Sequence, residues 1–480
     1  MECGLYYLKM ETTKGKAMAF LDNNYLLGSE TAKALYSTVA KLPVIDAHNH
    51  ADVKRIADNT PFTDPWELFA ATDHYVWEML RKRGVSEELI TGKNTDNHAK
   101  WIAMAEVFPE FAGNPVYEWV HLDLRFLGFD NILLCAETAE ELWQGCCEAL
   151  AKDENKPQSL IRRMNIEVMC STDDPADTLE DHERANAAFG KVLVRPTWRP
   201  DRVMKIRKPD FKEYLAKLGS RWSVEIKSLA DLMLAMKKSH DFFAERGAIA
   251  SDHGIEKPYD GAATDAEAEA ILQKVLSGTA ATAAEEDVWS SCLMRKFAEL
   301  DAEKGWVFQL HIGAVRDVRD VLFDTLGPDT GGDVSDHMID IVKPLCKFLN
   351  LFDDKLKTIL YCLDPGHQAS LATVSRAFGC KVRLGSAWWL NDTSIGMKRQ
   401  LEYISSVDLF ASFAGMVSDS RKILSYSSRF YRINFFSLFC SCRLNFCTNF
   451  LKTCTHIIHI HCRNGWIYGI YLIYIRHNFF

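Results

Sequence analysis

Apolar and polar positions along the chain repeat one local figure: a short run rich in Val, Ile or Leu that stops abruptly at polar residues. It occurs at residues 44–50 (Val-Ile-Asp-Ala-His-Asn-His), 166–175, 192–199, 248–253, 306–311, 358–365, 382–389 and 413–419. Runs of this length, bounded by turn-forming types, read as buried strands. Between most of them lie charged stretches with helical spacing, such as 210–245, 265–304 and 336–355. Eight buried strands alternating with helices predict an α/β fold, a (β/α)₈ barrel of the TIM type. In that fold the chemistry sits at the carboxyl ends of the strands, which is where the polar endings fall.

The pattern has one long interruption and two irregular ends. Residues 51–165 separate the first and second runs, far more than a barrel helix requires. Helical stretches with aromatics at 65–83 and 99–112 predict a helical insertion packed over the barrel mouth. Residues 1–17 read as an N-terminal extension ahead of Met18, so the barrel domain is expected over 18–425. From 426 to 480 the composition changes: there is no Asp or Glu after Asp419, and five of the 14 cysteines fall there. That stretch is expected to be an atypical tail foreign to the rest. His456, His459 and His461 with Cys454 and Cys462 resemble a metal cluster but lack zinc-finger spacing.

Bulk composition adds mainly exclusions. The 480 residues are 48% hydrophobic and 25% charged, a globular balance able to bury a large core. A net charge of -9 argues against nucleic-acid binding, although a local Arg cluster still suits an anionic small substrate. Cys170, Cys362 and Cys380 fall singly in apolar runs, the pattern of buried thiols in a reducing compartment. No run approaches the roughly 20 apolar residues of a membrane span. The expectation is a cytoplasmic enzyme without a membrane partner, and homo-oligomerisation is left open.

Candidate chemistry begins at the first run. His48 and His50 at spacing i, i+2 on a strand share a face, and paired imidazoles at a barrel mouth suit a divalent ion such as zinc. Asp419 ends the eighth run, beside the first in a closed barrel, and is a candidate third ligand. Its alternative is a helix N-cap. Arg421 would place a cation nearby, or make a plain salt bridge. His311 is a further ligand, a pocket donor or a core histidine. Arg199 is a candidate clamp for a carboxylate. Asp173 and Asp174 either line the pocket or cap a loop. Asp252 and His253 are expected to orient each other behind the site. His74 and Tyr75, in the insertion, would lower an imidazole and a phenol into the mouth or pack as an ordinary aromatic pair.

With these residues in place the chain resembles the uronate isomerase (glucuronate isomerase) family of the amidohydrolase superfamily. The likeness runs from about Phe20 to Tyr426 and is carried by Asp46-Ala47-His48-Asn49-His50, Asp73-His74-Tyr75, Thr172-Asp173-Asp174-Pro175, Trp198-Arg199-Pro200-Asp201, Leu310-His311-Ile312-Gly313-Ala314, Trp388-Trp389 with Asn391-Asp392, and Ser418-Asp419-Ser420-Arg421. The resemblance implies conversion of D-glucuronate to D-fructuronate and of D-galacturonate to D-tagaturonate through a cis-enediol. It implies one divalent ion, usually zinc, on His48, His50 and Asp419. Asp419, Arg421, Tyr75 and His48 become the candidate catalytic residues, and Arg199, His74, His311 and Trp388 the substrate-binding ones. A metal-dependent hydrolase of the same superfamily is the competing enzyme reading. The sequence departs from the family after Ser425-Tyr426, where an acidic, aromatic helix is expected, so a product of impaired activity is the third reading.

Overall fold

The computed structural model describes residues 21–430, except 23, 28, 29, 387 and 388. The expected extension at 1–17, the stretch 431–480 with its His and Cys residues, and Trp388 all lie outside the described residues. The fold is α/β with parallel sheets. One sheet orders β1 (Val44–Asp46), β2 (Ile166–Cys170) and β3 (Val194–Arg195). A second orders β4 (Ala250–Ile255), β5 (Val307–Ile312), β8 (Lys357–Cys362) and β9 (Val382–Leu384). A short antiparallel pair, β6 (Ala314–Val315) and β7 (Val334–Ser335), was not foreshadowed by the pattern.

Strand faces alternate as the period of two requires. Val307 on β5 and Ile359, Tyr361 and Leu363 on or beyond β8 join one apolar cluster with Ala47, Ala250 and Val417. Phe308, Leu310, Ile312, Leu360 and Cys362 point the other way, into the main core. Burial on both faces explains why these runs are continuously apolar rather than alternating.

The two parallel sheets are linked at their edges by isolated backbone bridges. Trp198 bridges Asp173 on one side and Ser251 on the other. Beyond β9, the Ala414 amide donates to the Leu384 carbonyl at 3.0 Å, and the Asp419 amide to the His48 carbonyl at 3.1 Å. Seven of the eight apolar runs hold strands, and the eighth, 413–419, is extended chain without ladder pairing. Two causes are visible. Gly415 and Asp419 have positive φ, 98° and 44°, which breaks the extended repeat. The Ser418 amide is also taken by the Asp46 carboxylate at 3.0 Å instead of a strand carbonyl.

Between β1 and β2 the described residues hold seven α-helices, from Val53–Asp58 to Pro157–Arg163. The predicted stretch 65–83 divides into Pro65–Phe69 and His74–Lys82, because Asp64 and Asp73 each cap a new helix by accepting from backbone amides. The stretch 265–304 divides likewise into Asp265–Leu276 and Ala283–Lys304, each opened by a capping box, Thr264 with Glu267 and Thr282 with Glu285. Of the stretch 336–355 only Lys343–Leu351 is helical. No helix among the described residues is long and apolar enough to cross a membrane.

Candidate active site

A cavity of about 790 Å³ opens at the carboxyl ends of the strands, lined by His48, His50, His74, Tyr75, Arg199, His311, Asp419 and Arg421 among others. The metal, catalytic and substrate-binding residues that the resemblance implies therefore meet in one place, apart from Trp388, which lies outside the described residues. Trp389 beside it does line the cavity. Asp173 and Asp174 do not. Asp173 accepts from the Ser171 hydroxyl at 2.7 Å and the Thr197 amide at 3.1 Å, and Asp174 from the Tyr214 hydroxyl at 2.9 Å, so both brace the loop after β2.

The first run is anchored from beneath. Asp46, fully buried, accepts from the Ser418 hydroxyl at 2.6 Å, the Tyr426 hydroxyl at 2.8 Å and the His48 amide at 3.2 Å. This carboxylate fastens the extended segment before Asp419 to β1. The result is a tight triad: His48 Nε2 and His50 Nε2 lie 3.0 and 3.2 Å from Asp419 Oδ1. Burial alone would raise the Asp419 carboxyl, but hydrogen bonds and charge from the two histidines hold it well below its ordinary value. His50 is pushed down by burial, while for His48 the nearby Asp252 and Asp419 carboxylates overcome burial and push it up. Ligand atoms of His48, His50 and Asp419 all lie within 4.8 Å of one another, an arrangement that fits one metal ion.

Asp252 is the hub behind this triad. Its carboxylate lies 2.5 Å from His311 Nδ1, 3.4 Å from His48 Nδ1 and 3.1 Å from Arg199 Nη1. The expected Asp252–His253 pair does not form, because strand neighbours point to opposite faces. His253 instead bonds the Ser251 hydroxyl at 2.8 Å and packs on Phe308. Burial holds His311 at about 4, despite Asp252, so it is neutral at ordinary pH. Arg199 reaches the cavity, but its Nε donates to Asp201 at 2.7 Å and its Nη1 to Asp252, so protein carboxylates already engage its charge.

Arg421 differs. Its guanidinium donates to His74 Nε2, and no carboxylate pairs with it among the described residues. Burial and the Arg421 charge lower His74 to about 4, which keeps the imidazole a neutral acceptor. The cation is thus positioned without being neutralised.

Tyr75 belongs to a second chain of contacts. Its hydroxyl donates to Asp392 Oδ1 at 2.8 Å and accepts from the Leu390 amide at 2.7 Å. Asp392 Oδ2 pairs with Arg429 at 3.1 Å, and the Arg429 guanidinium covers the Trp119 ring at 4.6 Å. Burial first, then the Asp392 charge, pushes the phenol well above its ordinary value, so it stays protonated. Asp252, Asp392 and Arg429 were not assigned these contacts from sequence. Asp392 lies in a motif that signalled the family, whereas Arg429 lies past residue 425, where composition placed the tail. The segment Tyr426–Phe430 is a turn of π-helix in which Tyr426, Ser428 and Arg429 are buried.

Comparison with known proteins follows the same residues. Positions 18–442 match the family described as glucuronate isomerase. A uronate isomerase of Thermotoga petrophila is 47% identical over 414 residues, 85% of this chain and 90% of that protein. One from Phocaeicola vulgatus is 40% identical over 422 residues, 86% and 90% of the two chains. Among solved structures, a uronate isomerase from Thermotoga maritima aligns with a TM-score of 0.89 at 43% identity, covering 93% of this chain and 98% of its own. A glucuronate isomerase from Caulobacter crescentus aligns at 0.85 and 25% identity, covering 92% and 94%.

Proposed function

The chain belongs to the glucuronate isomerase family, and from that premise we propose that it interconverts hexuronate aldoses and ketoses, D-glucuronate with D-fructuronate and D-galacturonate with D-tagaturonate. The observation that carries the reading is the convergence of His48, His50, Asp419 and the uncompensated Arg421 on one cavity. A metal-dependent hydrolase gains less support. A putative hydrolase of that kind from Lactobacillus casei aligns at a TM-score of 0.52 and 13% identity, a likeness of fold alone.

His48, His50 and Asp419 would hold the ion, and two imidazoles with one carboxylate favour zinc over magnesium or calcium. When bound, the ion would polarise the oxygens on C1 and C2 of the sugar. The chain's own groups then divide the proton work. Asp419 takes the proton from C2 and returns it to C1, a weak base aided by position more than by strength. Tyr75 passes a proton to O1 as the cis-enediol forms and recovers one from O2 as it collapses to the ketose, whereas His48, with Nε2 at the triad and Nδ1 facing Asp252, serves as a ligand rather than in this transfer. Arg421 faces the charge that develops on those oxygens, and a preorganised cation in a buried site stabilises it without reorganising. His74 keeps Arg421 in place. Arg199 and His311 orient the site through Asp252, with any remaining donors turned to substrate hydroxyls or the distal carboxylate.

The same proposal extends to architecture. The edge hydrogen bonds from β9 through residues 414–420 back to His48 and His50 support a closed (β/α)₈ barrel. The helices between β1 and β2 are then an insertion at its mouth, since they deliver His74 and Tyr75 to the cavity.

The test is direct. Zinc-loaded protein incubated with D-glucuronate should form D-fructuronate, followed by NMR. Asp419→Asn should abolish turnover with an unchanged circular dichroism spectrum. Absence of fructuronate with folded, loaded protein would sink the function, and undiminished turnover in D419N would sink the mechanism.

A further inference from the structure

We propose that His337, Asp364 and His367 form a second divalent-cation site that fastens the loop after β7 to the end of β8. None of the three lines the catalytic cavity. Asp364 lies just beyond β8, His337 just beyond β7, and His367 immediately before the helix Gln368–Ala377. One ligand atom from each lies within 4.8 Å of the other two.

Each side chain is prepared differently. The Asp364 carboxylate is fixed at one oxygen by the Gly366 amide, 2.5 Å from Oδ1, and presents Oδ2 to His337 Nδ1 at 2.9 Å. The His337 and His367 rings are stacked, with centroids 4.9 Å apart and planes inclined by 12°. The chain allows this approach because residue 366 is glycine: a Cβ there would sit 3.1 Å from His337 Cε1 and 2.9 Å from Asp364 Oδ1.

A surface contact between His337 and Asp364 alone does not account for His367. That ring is 8% exposed, and its Nδ1 is buried with no hydrogen-bond partner. Buried polar atoms are nearly always partnered, and an unpaired one calls for an ion, a water or a function. His367 also makes no side-chain cap to the helix it precedes, so the imidazole is not occupied locally. The positive end of that helix opposes a cation, and the Asp364 carboxylate offsets it.

Two imidazoles and one carboxylate select borderline transition ions such as Zn²⁺ over Mg²⁺ or Ca²⁺. His337 is 68% exposed at its side chain, so water would complete the coordination, making an open site weaker than a closed four-ligand one. Its role is mechanical. Just before β7, the same segment carries Asp333, which pairs with Arg316 at 3.0 Å, and Arg316 and Asp329 line the catalytic cavity. An ion at His337 therefore pins one wall of that cavity to a strand end.

The test uses the full chain, stripped with a chelator and titrated with Zn²⁺ by calorimetry, then with Co²⁺ for its visible spectrum. The parent should take up two equivalents. His337→Ala, at an exposed position that does not threaten the fold, should lose one equivalent and keep the other. His48→Asn with His50→Asn should show the reverse loss. Hydrogen exchange in 327–342 should slow on adding the second equivalent to the parent and not in H337A. A parent that binds one ion, or an H337A variant that still binds two, overturns the proposal.

Discussion

Asp252 fixes three groups at once, and the price of removing its charge should appear in metal binding as well as in turnover. Its two oxygens serve His311 on one side and His48 with Arg199 on the other, so both imidazoles inherit their orientation from one carboxylate. Partners behind metal ligands typically change metal affinity or activity by about 10–100-fold when removed. Asp252→Asn is therefore expected to weaken Zn²⁺ binding and lower kcat within that range, with the fold retained. Competition against a chromogenic chelator reads the affinity, and an affinity within twofold of the parent would show that Asp252 does not orient the ligands. Sequence made the ligands legible because i, i+2 spacing on a strand puts His48 and His50 on one face. It did not reveal this hub. Adjacency suggested His253 as the partner of Asp252, whereas the partners come from residues 48, 199 and 311, joined only by the fold.

Among elements, the turn Tyr426–Phe430 ties sequence-distant parts of the site together. Composition alone assigns it to a tail poor in acids, but an Arg without local carboxylates can pair with remote ones. Arg429 meets Asp392 from the segment after β9, and Tyr426 meets Asp46 from β1. Removing one member of a buried ion pair leaves the other charge uncompensated, a cost of about 3–5 kcal/mol. Arg429→Met should accordingly lower stability in urea by that amount, and adding Asp392→Asn should restore a large part of it. A single variant within about 1 kcal/mol of the parent would mean the pair carries no such weight. The eighth apolar run illustrates a related limit of reading elements from pattern. Its apolar residues are buried, Phe413 and Met416 in the main core and Val417 in the second cluster, yet Gly415 and the Asp46 carboxylate replace ladder pairing with side-chain anchoring. Hydrophobic alternation reports burial and says nothing of which acceptor an amide finds.

For the whole molecule, the helices between β1 and β2 set an acid limit on stability apart from the metal ligands. His121, in the helix Pro115–Phe126, lies with Nδ1 2.7 Å from the Tyr117 carbonyl and accepts the Leu134 amide at Nε2, 3.0 Å away. This pairing requires the neutral ring, and burial lowers the group to about 4 from an ordinary 6.5, the Tyr117 contact opposing. The sign follows from linkage. Between those values the unfolded chain binds a proton that the folded chain refuses, so stability falls as pH drops from 6.5 towards 4 and levels off below. Each such group contributes a slope of at most about 1.4 kcal/mol per pH unit. In metal-free protein His74 and His311, also held at about 4, act in the same direction. His121→Gln removes one titrating group whatever its absolute cost to the fold. Urea unfolding of the metal-free chain from pH 7 to 4.5 should therefore give a parent curve steeper than that of H121Q by close to one proton's slope. Parallel curves would assign the acid sensitivity to the cavity histidines alone and leave His121 without a titrating role.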